Sequence, residues 1–131
     1  MDILSVMSIR RVVRVATLAL LLTASAAQAT SVAYFLAAVE RFERQGWTAL
    51  FNPEARRLRG EARAARDAVV ARQLAAQRAG QRPATCIPPG GPQGSDHEVL
   101  TYFRALPPAV QQRTSVAQAI DGLLRRKYPC R

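Results

Sequence analysis

The sequence has few of the residues that carry enzyme chemistry. Its 131 residues include one histidine, His97, and two cysteines, Cys86 and Cys130. A single histidine excludes a metal site built from several histidines, and no Cys-x-x-Cys pair is present for redox chemistry. Ser95, Asp96 and His97 supply the residue types of a hydrolase triad, but they are adjacent at a predicted helix start, where side chains diverge. We therefore predict that the chain is not an enzyme and needs no cofactor or metal.

Aromatic residues are absent between Asn52 and Thr101, and this stretch holds the most basic part of the chain. Proteins that bind single-stranded nucleic acid stack bases on aromatic side chains, so we predict no nucleic-acid partner. Two interpretations of this basic stretch stay open. It forms either a solvated helix face or a face that docks on an acidic protein or another anionic surface. The basic residues form a stripe at helical spacing, namely Arg56, Arg59, Arg63 and Arg66.

Only one long apolar run is present, and it lies near the start, from Val15 to Leu22. Three arginines precede it and small residues follow it, which is the order found in a secretory signal peptide. The sequence Ala27-Gln28-Ala29 fits the small-x-small cleavage rule, so we predict a signal peptide over residues 1–29. A membrane anchor is the competing interpretation, but the run is shorter than the roughly 20 residues that span a bilayer.

Residues 30–131 are then expected to form one domain in the periplasm, with no integral membrane segment after cleavage. They keep 16 basic and eight acidic residues, so their net charge is +8. Lys127 is the only lysine. A genome that favours arginine codons explains this composition, and so does a partner with an acidic surface, such as a protein, lipid headgroups or a cell-wall polymer.

The first predicted helix runs from Val32 to Gln45, because apolar residues recur there at helical spacing. Gly46 is able to end it in a left-handed turn. Trp47, Leu50 and Phe51 follow as an apolar cluster. We predict a short helical turn that covers the end of the core, and an interface anchor is the alternative.

The second predicted helix begins at Asn52-Pro53 and ends at Arg78 or Ala79, just before Gly80. Asparagine is a good N-cap, and proline is tolerated at the first helical position because its missing N–H would be unpaired. A loop rich in proline and glycine follows, from Gly80 to Gly94. The helix is expected to pack through a stripe of mostly small residues, Leu58, Ala62, Ala65, Val69 and Ala76.

Two capping boxes mark the C-terminal helices. The first, Ser95 to Glu98, begins a helix that reaches about Ala105. The second, Ser115 to Gln118, begins a helix that ends before Pro129. No alternating strand pattern bounded by hairpin signals occurs, so the predicted fold is all-α, a small domain of four main helices.

Cys86 and Cys130 are predicted to form a disulfide. A pair of cysteines in an oxidising compartment is normally bridged. In the chain-entropy model, closing the loop from Cys86 to Cys130 stabilises the folded chain by roughly 4 kcal/mol. The bridge would hold the last helix against the start of the proline-rich loop.

The C-terminal segment contains, in order, Cys86-Ile87-Pro88, a loop with glycines, a helix with Tyr102-Phe103, then Pro107-Pro108, a helix start at Ser115, and Tyr128-Pro129-Cys130. This arrangement resembles the Rap/Tai family of type VI secretion immunity proteins over about a third of the chain. The resemblance implies a small periplasmic helical domain over residues 30–131 whose terminal disulfide joins the two cysteines.

Members of that family bind and neutralise a cell-wall amidase delivered by neighbouring bacteria, so the resemblance implies a protein-binding role. No effector-binding residue carries over, because no binding motif matches. The alternative function is an envelope-associated stress protein that binds anionic surfaces through its arginine-rich helix. Whether the chain forms a homodimer stays open.

Overall fold

A computed structural model describes residues 29–131, so the predicted signal peptide lies outside the described residues except for Ala29. The described part is helical, and its only extended pairing is an isolated bridge between Ser31 and Ser115. This confirms the all-α prediction and its four longer helices. No helix in this part is both long and apolar enough to cross a membrane. The elements are α1 (Val32–Gln45), a 3₁₀ helix (Gly46–Phe51), α2 (Pro53–Arg78), α3 (Asp96–Ala105), α4 (Pro108–Arg113) and α5 (Val116–Lys127).

Side-chain caps set most of the helix starts. The side chain of Asn52 accepts a hydrogen bond from the N–H of Glu54 at 2.9 Å, and Pro53 occupies the first position of α2. Ser115 and Gln118 form the complete capping box that the sequence predicts for α5. Each cap pairs a backbone N–H that has no partner within its helix, which is why these boundaries are readable from local sequence.

The capping box predicted at the start of α3 is only half formed. The Ser95 hydroxyl accepts from the N–H of Glu98 at 3.3 Å. The Glu98 carboxylate, however, accepts from Lys127 Nζ at 2.8 Å. Lys127 brings a full positive charge to the carboxylate, whereas a backbone N–H brings only a partial one, so Glu98 pairs with α5 and not with its own cap.

One core joins the helices, and Phe103 of α3 lies fully buried at its centre. Its ring meets Phe35 of α1 edge to face, with the centroids 5.6 Å apart. Most of the predicted α2 stripe faces this core, while Ala62 and Ala76 are half-buried. The buried apolar side chains are Val32, Phe35, Ala38, Leu58, Ala65, Val69, Ile87, Phe103, Val116, Ala119, Ile120 and Leu124.

The prediction that Trp47, Leu50 and Phe51 belong to the core is wrong. The short helical turn forms, but these side chains are 74%, 62% and 70% exposed. Residues three apart lie on the same side of a 3₁₀ helix. Trp47 and Leu50 therefore share a side, and the one half-buried side chain of the turn is the small Ala49, so the large side chains point to solvent. We call Trp47, Leu50 and Phe51 the aromatic corner.

The loop after α2 is fastened to the end of α5, and we call residues 81–94 together with 127–130 the C-terminal corner. The predicted disulfide between Cys86 and Cys130 is present, with a Cα–Cα distance of 5.0 Å. The N–H of Cys86 also donates to the carbonyl of Tyr128 at 2.9 Å. On the far side of the loop, the N–H of Gln93 donates to the Tyr128 hydroxyl at 2.8 Å.

Gln73 holds the same loop from α2. Its buried amide donates to the carbonyl of Ile87 at 2.9 Å and accepts from the N–H of Ile87 at 2.7 Å. The Thr85 hydroxyl donates to the same amide oxygen at 3.2 Å. The amide thus pairs with both backbone groups of one residue, as a neighbouring strand would, and replaces the secondary structure that prolines exclude here.

Candidate binding groove

An open groove with a volume of about 320 Å³ lies between α1, α2, α3 and α5. Leu58, Ile120 and Leu124 lie at its base and also belong to the core. Val39 and Phe42 of α1 line one wall. Its volume is at the lower end of the roughly 300–1,000 Å³ that is usual for sites that take small molecules or single side chains.

The α2 edge of the groove is positively charged. Arg59, Arg63 and Arg66 line it, because residues three and four apart share one face of a helix. Arg56 lies on the same face one turn earlier, beyond the groove. Arg66 is 3.4 Å from the carboxylate of Asp67. Among residues 29–131, no carboxylate lies within 4.0 Å of the charged ends of the other three arginines, and all four are exposed.

The opposite edge carries one ion pair, between Lys127 and Glu98, and one further carboxylate, Asp96. It is formed by residues 92–96, Glu98 and Lys127. Lys127 donates to Glu98 and to the carbonyl of Gln93, and the hydrogen bond to Glu98 is the main reason that its pKa lies above the usual value. Gly94 allows this approach, since a Cβ there would lie 2.5 Å from Glu98 Oε2. A ligand in the groove therefore meets the arginines on one side, and on the other side a neutralised ion pair and the exposed carboxylate of Asp96.

The aromatic corner adjoins the groove through Leu50, which belongs to both. The rings of Trp47 and Phe51 meet edge to face, with their centroids 6.1 Å apart. Exposed clusters of this kind mark interaction sites, and tryptophan is among the residues that most often anchor interfaces. The exposure therefore favours the interface anchor, which was the alternative interpretation of these residues.

A polar cluster fixes the two helices on either side of the aromatic corner. Glu54, in the first turn of α2, accepts hydrogen bonds from the Tyr34 hydroxyl and, at 3.3 Å, from Arg41 of α1. The hydrogen bond from Tyr34 is the main cause that lowers the pKa of Glu54. Arg41 also lies over the Tyr34 ring, 5.7 Å from its centroid. These contacts hold α1 and α2 together on either side of the aromatic corner, although the corner's own side chains are exposed.

The groove is lined by few groups with chemical reactivity. No histidine or cysteine lines it, and Ser95 is the one hydroxyl residue among the lining residues. His97 is exposed beside the groove and does not line it. Within residues 29–131, no three histidine, cysteine, aspartate or glutamate side chains group in a way that holds a metal ion. The arrangement is suited to binding, and the prediction that the chain is not an enzyme stays a prediction.

The helical spacing of the four arginines predicts that they share one face of α2, and this face is exposed in the structure. The sequence did not show that the face lies beside a groove. The groove depends on how four helices pack, and no local pattern shows that. Gln73 was also missed, although it follows Val69 by four residues on the buried side of α2. A polar residue at the same helical spacing as a buried apolar stripe needs a hydrogen-bond partner. The position of Gln73 relative to this stripe is therefore the signal by which the sequence could have identified it.

Comparisons with protein-family models, with curated proteins and with solved structures find no match to this chain. The resemblance of the segment between Cys86 and Cys130 to the Rap/Tai family therefore stays a hypothesis, and so does the immunity role that it implies.

Proposed function

We propose that this chain is an exported binding protein whose groove takes an apolar, acidic segment of a partner protein. The observation that carries the proposal is the continuity of three features. An apolar groove, a row of arginines along its α2 edge and the aromatic corner at its α1–α2 end form one surface. An apolar side chain of the partner would fill the groove, and carboxylates beside it would meet the arginines.

The charge of the domain supports an acidic partner. Ion pairs in the described part engage six of its eight acidic residues, while several arginines on α2 have no such partner. Complementary charge speeds association and selects the partner more than it tightens the complex. The apolar contacts at the groove and the aromatic corner would then supply most of the affinity.

The finer proposal is that the partner is a cell-wall amidase effector that the chain neutralises in the periplasm. It is supported by the resemblance to the Rap/Tai family and by the predicted signal peptide. An inhibitor of this kind needs a binding surface and no catalytic group of its own.

The test is protection against an amidase encoded beside the gene for this chain. The amidase directed to the periplasm should lyse the cells, and co-expression of the full chain with its own leader should restore growth. Purified protein should also inhibit release of peptide from cell wall by the same amidase. Growth that is not restored, together with an amidase that is not inhibited, contradicts the immunity role.

Substitutions at the surface show whether the groove is responsible. Leu50→Asp and the pair Arg59→Ala with Arg63→Ala should each weaken inhibition about tenfold or more, which is the usual cost of losing an interface anchor. Arg78→Ala removes an exposed arginine at the far end of α2 and serves as the matched control. Equal inhibition by all these variants would place the interface elsewhere.

A second candidate function is binding to an anionic surface of the envelope. The specific observation in its favour is that Arg56, Arg59 and Arg63 are exposed and have no ion pair among the described residues. Vesicles containing phosphatidylglycerol should then retain the protein at low salt and release it as salt screens the charges. Binding that is lost with the arginines but unchanged by Leu50→Asp favours this candidate over the protein partner.

A further inference from the structure

Thr30, the first residue after the predicted cleavage point, is bound at each of its polar groups. Its N–H donates to Glu61 Oε1 at 3.2 Å, and its hydroxyl donates to Glu61 Oε2 at 2.7 Å. Its carbonyl accepts from the N–H of Val116 at 2.9 Å. Both oxygens of one carboxylate on α2 therefore point at the residue with which the processed chain would begin.

The backbone next to Thr30 is also held in place. Ser31 forms the isolated bridge with Ser115, and the N–H of Val32 donates to the carbonyl of Thr114 at 2.9 Å. This short segment lies between α2 and the start of α5, so the nitrogen of Thr30 has a defined position relative to Glu61.

Glu61 has one positively charged neighbour among residues 29–131, Arg57. Arg57 Nη1 lies 3.3 Å from Glu61 Oε2 and 3.4 Å from the Thr30 hydroxyl. The Glu61 side chain is 26% exposed, so solvent screens these contacts only in part. From the α4 side, Arg113 is the charged residue that lines the shallow cavity beside Ala29.

We propose that the Glu61 carboxylate is a binding site for the α-ammonium group that cleavage after Ala29 creates on Thr30. The inference rests on the export proposed above. A leader-cleaving peptidase hydrolyses the Ala29–Thr30 bond with one water. The water oxygen joins the carbonyl carbon of Ala29 as a carboxylate, and the Thr30 nitrogen is released as an amine, which is protonated to the ammonium.

The physical reason is that cleavage changes a neutral donor into a charged one at the same place. A hydrogen bond from an ammonium to a carboxylate is roughly twice as strong as one between neutral groups. An α-amino group has an ordinary pKa of about 7.7–8.0, so it is largely protonated at neutral pH. The folded domain therefore prefers the processed chain that begins at Thr30, and removal of the leader contributes to stability.

The first measurement is the mass of the full chain, expressed with its own leader and purified from the periplasm. A mass that begins at Thr30 is expected. A mass that begins at any other residue overturns the inference. Retention of the leader in the cytoplasm also overturns the export on which the proposed function rests.

The second measurement compares four exported proteins: the natural chain, a chain with one glycine inserted between Ala29 and Thr30, and both in the background of Glu61→Gln. The insertion moves the ammonium away from Glu61 while it keeps an N–H on Thr30. It should raise the unfolding equilibrium constant about threefold to tenfold in the natural background. In the Glu61→Gln background the insertion should change the unfolding equilibrium constant little, because the carboxylate charge that would bind the ammonium is gone.

Glu40→Gln is the matched control, because Glu40 is an exposed carboxylate on α1 with no ion pair in the described part. In that background the glycine insertion should keep its full effect. A start at Thr30 with an insertion effect that does not depend on Glu61 overturns the ammonium site alone, and it leaves the binding function of the groove standing.

Amine labelling tests the same contact without unfolding the protein. Lys127 is the only lysine, so the processed chain has two primary amines, its α-amino group and Lys127 Nζ. A brief reaction with an acylating reagent at neutral pH should modify the Thr30 amine several-fold more slowly in the natural protein than in Glu61→Gln, because only the unprotonated amine reacts. Labelling of Lys127 should be equal in both. Equal labelling of the Thr30 amine overturns the inference.

Discussion

The two corners of the domain use their side chains in opposite ways. In the C-terminal corner, a disulfide, a buried amide and a tyrosine hydroxyl hold a loop that has no regular structure. In the aromatic corner, a regular 3₁₀ helix leaves tryptophan, leucine and phenylalanine in solvent. The difference suggests a division of roles in which the first corner supplies stability and the second is free to bind. This division predicts large effects on unfolding from the first corner and small ones from the second.

The largest effect is expected from the disulfide. Replacing Cys86 and Cys130 together by serine should lower the free energy of unfolding by about 4 kcal/mol, because the unfolded chain gains the freedom that the closed loop denies it. Urea denaturation of the exported protein, with and without reductant, measures this. The reductant should have no effect on the double variant, and a loss below about 1 kcal/mol would contradict the stabilising role of this corner.

The next effect is expected from Gln73. Gln73→Leu should lower the free energy of unfolding by about 2–4 kcal/mol, because the buried N–H and carbonyl of Ile87 lose their partner. Gln77→Leu, at an exposed position one turn later on α2, should change it by less than about 0.5 kcal/mol. Equal urea midpoints for the two variants would show that the amide does not hold the loop.

A pH-dependent effect is expected from the support of the aromatic corner. Tyr34→Phe should raise the pKa of Glu54 towards its usual value, since the Tyr34 hydroxyl is the main cause that lowers it. A lowered folded-state pKa stabilises the protein above the unfolded-state pKa, and this stabilisation is lost as pH falls through the folded-state pKa. The stability difference between the natural protein and the variant should therefore be present at neutral pH, shrink as pH falls below the usual pKa of glutamate, and vanish below the lowered pKa of Glu54.

Carboxylate titration by NMR, together with urea denaturation at several pH values, tests this expectation. The Lys127–Glu98 pair in the C-terminal corner provides an internal control, because its hydrogen bonds do not include Tyr34. A Glu54 titration that is unchanged in Tyr34→Phe would show that this hydrogen bond does not form in solution.

The smallest effect on stability is expected from the aromatic corner itself. Trp47→Ala should change the free energy of unfolding by no more than about 0.5 kcal/mol, because the side chain is already exposed. Phe103→Ala, which removes a fully buried ring, should cost about 3–5 kcal/mol and serves as the contrast. A large loss for Trp47→Ala would mean that this corner also contributes to the core, and the division of roles would fail.

The parts of the fold that follow from the sequence are those with a local cause. Asn52 with Pro53, the Ser115 capping box and the left-handed Gly46 each determine a helix end through groups a few residues away, so their positions are readable in advance. The disulfide is also predictable, because two cysteines allow one pairing.

What the sequence did not show depends on groups far apart in the chain. Glu98 pairs with Lys127, 29 residues away, and so leaves its predicted cap. Trp47 and Phe51 are apolar residue types that usually lie in a core, but the 3₁₀ turn directs their side chains outward. The groove exists only because four helices meet, although the arginines along its edge were recognisable as a stripe.

The double anchorage of the proline-rich loop has a practical consequence. Gln73 holds it at Ile87, and Tyr128 holds it at Gln93, so the stretch from Pro88 to Pro92 is closed at both ends. Within this stretch the N–H of Gly91 donates to the carbonyl of Pro88 at 3.2 Å, so the exposed tip is a tight turn held between two anchors. A fluorophore attached at the exposed Pro89 in this turn would therefore sit three residues from Pro92 in the groove wall and would report occupancy by a change in emission.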